Sequence, residues 1–222
     1  GAFYDNLPYK LLQSRGYKDL ILVRTHGRGF TRKIDPNLNT IIISPSDDIG
    51  ESFVFERESA RRNIQLGYFD GLKAIRGLKG FKYYINPMGE EYFFNLLKET
   101  SEEQIGKIRQ YIKTPNIPDK RALFECIIPK AASFMGLHRD YDYEDFALAL
   151  LERKAEAFGI ERFNIYNYDD LLAKVKCTPK KGNNTHVEQG RLSRIIEKVD
   201  LSTLFNKEEI ILRLVDIILC NE

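Results

Sequence analysis

Residues 1–85 predict an α/β remnant, two to three parallel strands with flanking helices, and residues 86–222 predict an all-α helical bundle. Three observations carry this. Two apolar runs, Asp19-Leu20-Ile21-Leu22-Val23-Arg24 and Thr40-Ile41-Ile42-Ile43-Ser44, have strand length. Their continuous apolarity is that of a parallel sheet covered on both faces. A long helical pattern follows them, from about residue 56 to 78. From Asn86 onward the texture changes to helical periodicities alone.

Taken in order, Asn6 followed by Pro8 is an N-cap and first-turn signal, and Gly16 stands where a C-terminal cap belongs. Leu11 and Leu12 are the expected buried face of that short helix. The two strands follow, separated by a loop from Thr25 to Asn39 rich in Gly, Arg and Lys. In the long helix, Ile64, Tyr68, Leu72 and Ile75 make one stripe of a 3.6-residue period. Phe81 to Ile85 is the candidate third strand, at the sheet edge.

The second part opens on Ser101-Glu102-Glu103-Gln104, a capping box before a helix carrying Ile105, Ile108 and Ile112. Pro115 and Pro118 end that segment. A helix from Asp119 is expected to kink near Pro129, whose ring removes a backbone donor. Tyr143 to Phe158 is apolar enough to be central, and Tyr168 to Lys176 forms another helix. Residues 178–185 (TPKKGNNT) read as a flexible linker. Beyond it, Leu192, Ile195, Ile196 and Val199 form a helical stripe, and a last helix spans about Lys207 to Leu219.

Composition bounds the function classes. Residues 1–85 carry 14 Lys/Arg against 9 Asp/Glu, and the remainder 20 against 23. A modestly basic front half suits an anionic lipid surface and falls short of a nucleic-acid footprint. Cys126, Cys177 and Cys220 are sparse and far apart, which points to a reducing, cytoplasmic compartment. The most apolar run, Ile210 to Cys220, is about half of a membrane span and contains Arg213 and Asp216. Neither a metal nor another cofactor is expected.

The opening residues Gly1-Ala2-Phe3-Tyr4-Asp5-Asn6-Leu7-Pro8 resemble the Asp-Gly-Gly/Ala-x-x-x-Asn-x-Pro block of bacterial patatin-like phospholipases, entered one residue late. Tyr17 to Val23 resembles the strand after that block, Ile42-Ile43-Ser44-Pro45 the next strand and its exit, and Glu58 to Asp70 the closing helix. Together these cover about the first 80 residues. The resemblance implies the C-terminal part of a lipid acyl hydrolase, followed by the helical extension of some bacterial members.

Enzymes of that family use a Gly-x-Ser-x-Gly serine with an aspartate partner, and a Gly-rich loop as oxyanion hole. This chain holds neither motif, and the aspartate would immediately precede Gly1. The chain alone is therefore expected to be inactive. What remains of the site is a scaffold turn, Gly1, Ala2, Asn6 and Pro8. The expected partner is the N-terminal part of the parent polypeptide, with self-association through an exposed α/β edge where that part is absent.

Other residues are candidates for chemistry. The basic loop leaves a strand's carboxyl end, where open α/β sheets bind ligands, so Arg24, Arg28, Arg32 and Lys33 are candidates for a phosphate headgroup. Ser44-Pro45-Ser46-Asp47-Asp48 sets hydroxyls beside carboxylates, but such turns more often cap helices or form Asx-turns. Cys177 and His186 have no metal-ligand or nucleophile–base spacing, and His138 has no partner recognisable in sequence. Asp140, Asp142, Glu144 and Asp145 read as a solvated, helix-starting acidic cluster. The alternative to an acyl hydrolase fragment is a stand-alone helical binding module built on the patterned last helices.

Overall fold

The computed structural model describes residues 7–25, 33–50, 56–178 and 201–220, the first six of the last stretch by backbone alone. It is a mixed α/β and helical protein with two compact units. One comprises Gly1–Asn86 with Arg162–Ile165, the other Pro87–Glu161 with Tyr166–Glu222.

In the first unit, a single helical turn, Lys10–Ser14 (α1), precedes strand Asp19–Val23 (β1). This strand pairs in parallel with Asn39–Ile43 (β2), setting Leu20 opposite Thr40 and Ile21 opposite Ile41. Side chains alternate along a strand, and here the alternation decides burial. Leu20 and Leu22 are buried with Leu7 and Tyr9, and Ile34 and Leu38 pack against them. The Tyr9 hydroxyl donates to the Lys33 carbonyl at 2.6 Å, and Gln13 Nε2 donates to the Asp35 carboxylate at 2.6 Å. The Asn37 backbone N–H, then Gln13, hold the Asp35 carboxyl below its ordinary range.

Two expectations are corrected here. Leu11 and Leu12 are exposed, because one turn is too short to present a face and the residues just ahead of it, Leu7 and Tyr9, reach the sheet instead. The sheet is covered over one face of β1 only: Ile21 and Val23, on the other, are 61% and 63% exposed.

Helix Arg57–Arg76 (α2) packs against β2 and ends on Gly77, whose φ of 66° suits a residue without Cβ. Of its stripe, Ile64, Tyr68 and Ile75 are exposed and Leu72 is half-buried, and Leu66 and Asp70 are its buried residues. The third strand does not join this sheet. Only Tyr84–Ile85 (β3) is extended, in a separate two-stranded sheet whose other strand (β4, Ile165–Tyr166) begins at a residue of the same unit.

The second unit runs through Glu90–Lys98 (α3), Glu102–Arg109 (α4), Asp119–Ala122 (α5), Ile128–Met135 (α6), Tyr143–Ala157 (α7), Tyr168–Cys177 (α8) and Leu201–Val215 (α9). The capping box forms as read: Ser101 Oγ accepts from Gln104 N at 3.2 Å, and Ser101 N donates to Gln104 Oε1 at 2.7 Å. A π-helical turn, Leu123–Ile127, joins α5 to α6 just ahead of Pro129. The widened turn absorbs the hydrogen bond that a proline nitrogen cannot make.

Helix α7 is central, contacting α3, α6, α8 and α9, with Phe146, Leu150 and Leu151 fully buried. It starts on a capping box between Asp142 and Asp145. Glu144 is not solvated as expected. It is 3% exposed and accepts from Met88 N at 2.7 Å and Gly89 N at 3.2 Å, just ahead of α3. Residues 179–200, including most of the expected linker, His186 and the stripe Leu192, Ile195, Ile196 and Val199, lie outside the described residues. The last helix begins earlier than read and closes on a π turn, Asp216–Cys220, with Ile210, Ile211, Leu214 and Val215 buried.

Candidate functional site

The first unit has a cleft of about 240 Å³ at the carboxyl ends of its two parallel strands. Val23 and Ile43 form its floor, the turn through Ser44, Pro45 and Ile49 one wall, and Asn63, Leu66, Gly67 and Asp70 of α2 the other. Arg24 and Thr25 complete the rim. Strand ends place it: loops leaving the carboxyl edge of a parallel sheet surround the position where open α/β sheets take their ligands. Asn63 Nδ2 donates to the Ile49 carbonyl at 2.7 Å, tying the turn to α2.

The turn is held by a polar cluster behind that wall. Asp70, 4% exposed, accepts from Ser46 N at 2.9 Å, Ser46 Oγ at 2.6 Å and the Tyr84 hydroxyl at 3.0 Å. Arg162 donates through Nε to the Lys82 carbonyl at 2.6 Å, Nη1 to Asp47 at 2.7 Å and Nη2 to Ser46 Oγ at 2.8 Å. Arg62 also donates to Asp47. Phe163 rests on Phe69, which in turn meets Tyr84. Burial acts to raise the Asp47 carboxyl, but the Asp48 N–H and the Arg162 guanidinium outweigh it and leave it below the ordinary carboxylate value. Desolvation raises the Tyr84 phenol.

A serine hydroxyl beside a buried aspartate resembles a Ser–Asp dyad, but Ser46 is not among the residues lining the cleft. Its hydroxyl donates to Asp70 and accepts from Arg162, which ties the turn to both. The Asx-turn reading of this segment holds at Asp48, whose carboxylate accepts from Gly50 N at 2.9 Å.

Of the basic residues singled out in the sequence, Arg24 is half-buried in the cleft rim, and its N–H donates to the Ile43 carbonyl at 2.8 Å. Lys33 is exposed and outside the cleft lining. Arg28 and Arg32 lie outside the described residues, as do Gly1, Ala2 and Asn6 of the scaffold turn. Pro8 is exposed, two residues ahead of α1. His138 does have a partner: its Nδ1 meets the Asp140 carboxylate, both side chains exposed. Cys177 is exposed. Sequence reasoning missed Arg162, Asp70 and Tyr84. No local pattern in the sequence signals a partner 115 residues away.

Among the described residues, no cluster of three or more His, Cys, Asp or Glu is arranged to hold a metal ion, and no helix is long and apolar enough to cross a membrane. No family model, curated protein or solved structure matches the chain.

Proposed function

We propose that the first unit is the closing part of a patatin-like α/β layer, and that the chain serves a serine acyl hydrolase of the lipase or phospholipase A type without carrying its nucleophile. One observation supports this above the others. The segments that resemble the family fall on the elements the resemblance implies: a parallel strand at Asp19–Val23, its parallel neighbour at Asn39–Ile43 and a long helix at Arg57–Arg76. The exposed Ile21 and Val23 fit a sheet that further α/β chain completes, or that self-associates when it is absent.

On this reading the cleft and Arg24 face the lipid side of the layer, with Arg28, Arg32 and Lys33 as further headgroup ligands, each about 1 kcal/mol near an anionic surface. The enzyme is cytoplasmic, peripheral at the membrane and bacterial in type. The helical remainder is a bundle of its own. The stand-alone binding module is disfavoured, because Ile210, Ile211, Leu214 and Val215 of α9 are buried within their own unit.

The test is to isolate the native protein from its source cells with an antibody to this chain and to map its peptides. Peptides holding Gly-x-Ser-x-Gly upstream of Ala2, with esterase activity in the isolate and none in residues 1–222 alone, support the proposal. A native product of 25.8 kDa without such peptides removes it.

A further inference from the structure

The outer surface of α2 carries a pattern that its own unit does not use. Arg57, Arg61, Ile64, Tyr68, Gly71 and Ile75 follow one another at steps of four, three, four, three and four residues. This is the seam spacing of a helix packed lengthwise against another helix. The apolar members are exposed, Ile64 by 73%, Tyr68 by 63% and Ile75 by 60%, and both arginines are exposed. A Cβ built on Gly71 or on its neighbour across one turn, Gly67, meets nothing within 4 Å, and neither glycine has a left-handed φ. Neither local space nor backbone conformation requires glycine at these positions, although glycine weakens a helix interior.

The strip beside this seam is also open. Val23 and Gly67 line the same cleft, so α2 lies on the sheet face that bears Ile21, Val23, Ile41 and Ile43. Over β1 no described residue covers that face, and Ile21 and Val23 are exposed. An element placed there touches Ile21 and Val23 below and the glycine side of α2 laterally.

We infer that this groove is the seat of one further α-helix, running alongside α2 over β1, with carboxylates opposite Arg57 and Arg61 and a bulky apolar side chain opposite Gly71. Charge selects this occupant. The seam positions hold two arginines and no acid, so the seam of a second copy of α2 offers no counter-charge to either arginine. The four–three spacing selects a helix over a lipid surface, and the missing Cβ atoms admit the close axial approach that ridges-into-grooves packing allows. The inference deepens the proposed function and rests on it in one respect: the helix belongs to the portion of the parent polypeptide that completes the layer.

The experiment places a photo-crosslinking benzoylphenylalanine at Tyr68 in the protein produced in its source cells, with Arg139 as an exposed control position, and sequences the adducts. The expected result is an adduct specific to Tyr68 on an amphipathic helical segment bearing two carboxylates one turn apart. Gly71→Leu should lower its yield at least tenfold, and Arg57→Glu with Arg61→Glu should do the same. In residues 1–222 alone, Gly71→Leu should keep or raise the melting temperature, because the added side chain meets open space and improves the helix, so a lost adduct reports lost docking. Adducts to a second copy, to lipid or to nothing beyond the control overturn the inference, as does an adduct insensitive to Gly71→Leu. An acidic helix from a polypeptide lacking Gly-x-Ser-x-Gly keeps the seat and removes the acyl hydrolase. An active esterase parent with no helix at Tyr68 does the reverse.

Discussion

Helices α2 and α7 differ in how much of themselves they hide. The first has 20 residues and buries two, Leu66 and Asp70; the second has 15 and buries ten. Both were legible as helices from apolar spacing, and both carry enough apolar residues to pack. The difference lies in their surroundings. Around α7, four other helices supply a wall, whereas α2 has a two-stranded sheet on one side and a bare seam on the other. Periodicity therefore reports that a helix has an apolar face, and only the neighbours decide whether that face is a core or an interface.

The contrast is most sharply tested by two truncations. Phe146→Ala, at a fully buried position of α7, is expected to cost about 3–5 kcal/mol in urea unfolding. Ile64→Ala, on the seam, is expected to stay within about 0.5 kcal/mol of the parent. Equal losses at the two sites would mean that α2 already has a partner in the isolated chain.

Next in size is Glu144→Ala. It leaves the backbone donors of Met88 and Gly89 without their carboxylate, and a loss of about 2 kcal/mol is expected, with accelerated amide exchange at the start of α3. Tyr168→Phe works in the opposite direction. The Tyr168 hydroxyl is buried and has no hydrogen-bond partner among the described residues, and desolvation pushes its phenol well above the ordinary value. Removing it is expected to stabilise the second unit by about 1 kcal/mol, read as a raised urea midpoint.

The smallest effect belongs to Asp47 in the first unit, a partly exposed pair of the kind that contributes little. Its carboxyl lies below the ordinary value of 3.8 when folded. The stabilisation is therefore complete above that value and lost as pH falls through the lower folded one. The stability difference between the parent and Asp47→Asn should be largest near neutrality and close on acidification. A difference that grows in acid would reverse the sign and remove Arg162 as its cause.

Much of the fold was legible because it is local. The strands at residues 19–23 and 39–43, the Ser101–Gln104 box and the centrality of α7 all rest on residues within a few positions of one another. The misreadings share a different origin. Leu11 and Leu12 look like a buried face only if the turn is long enough to have one. Phe81 to Ile85 looks like an edge strand until one sees that only its last two residues are extended. Glu144 looks like one of four solvated acids because its partners, Met88 and Gly89, are 56 and 55 residues away. The candidate site was less legible still. Its location at the strand ends followed from topology, but the cluster that shapes its wall joins residues 46, 47, 70, 84 and 162.

That last residue bears on how the protein is made. Asp47 leaves the ribosome 115 residues before Arg162. At about 5–20 residues per second, the turn beside the cleft waits roughly 6–23 s for its guanidinium. Throughout that interval both strands have been synthesised, while the side chain that holds the turn has not. Slow codons between these positions would lengthen the exposure of the nascent α/β layer, and a stop anywhere before Arg162 would release a polypeptide that can never close it.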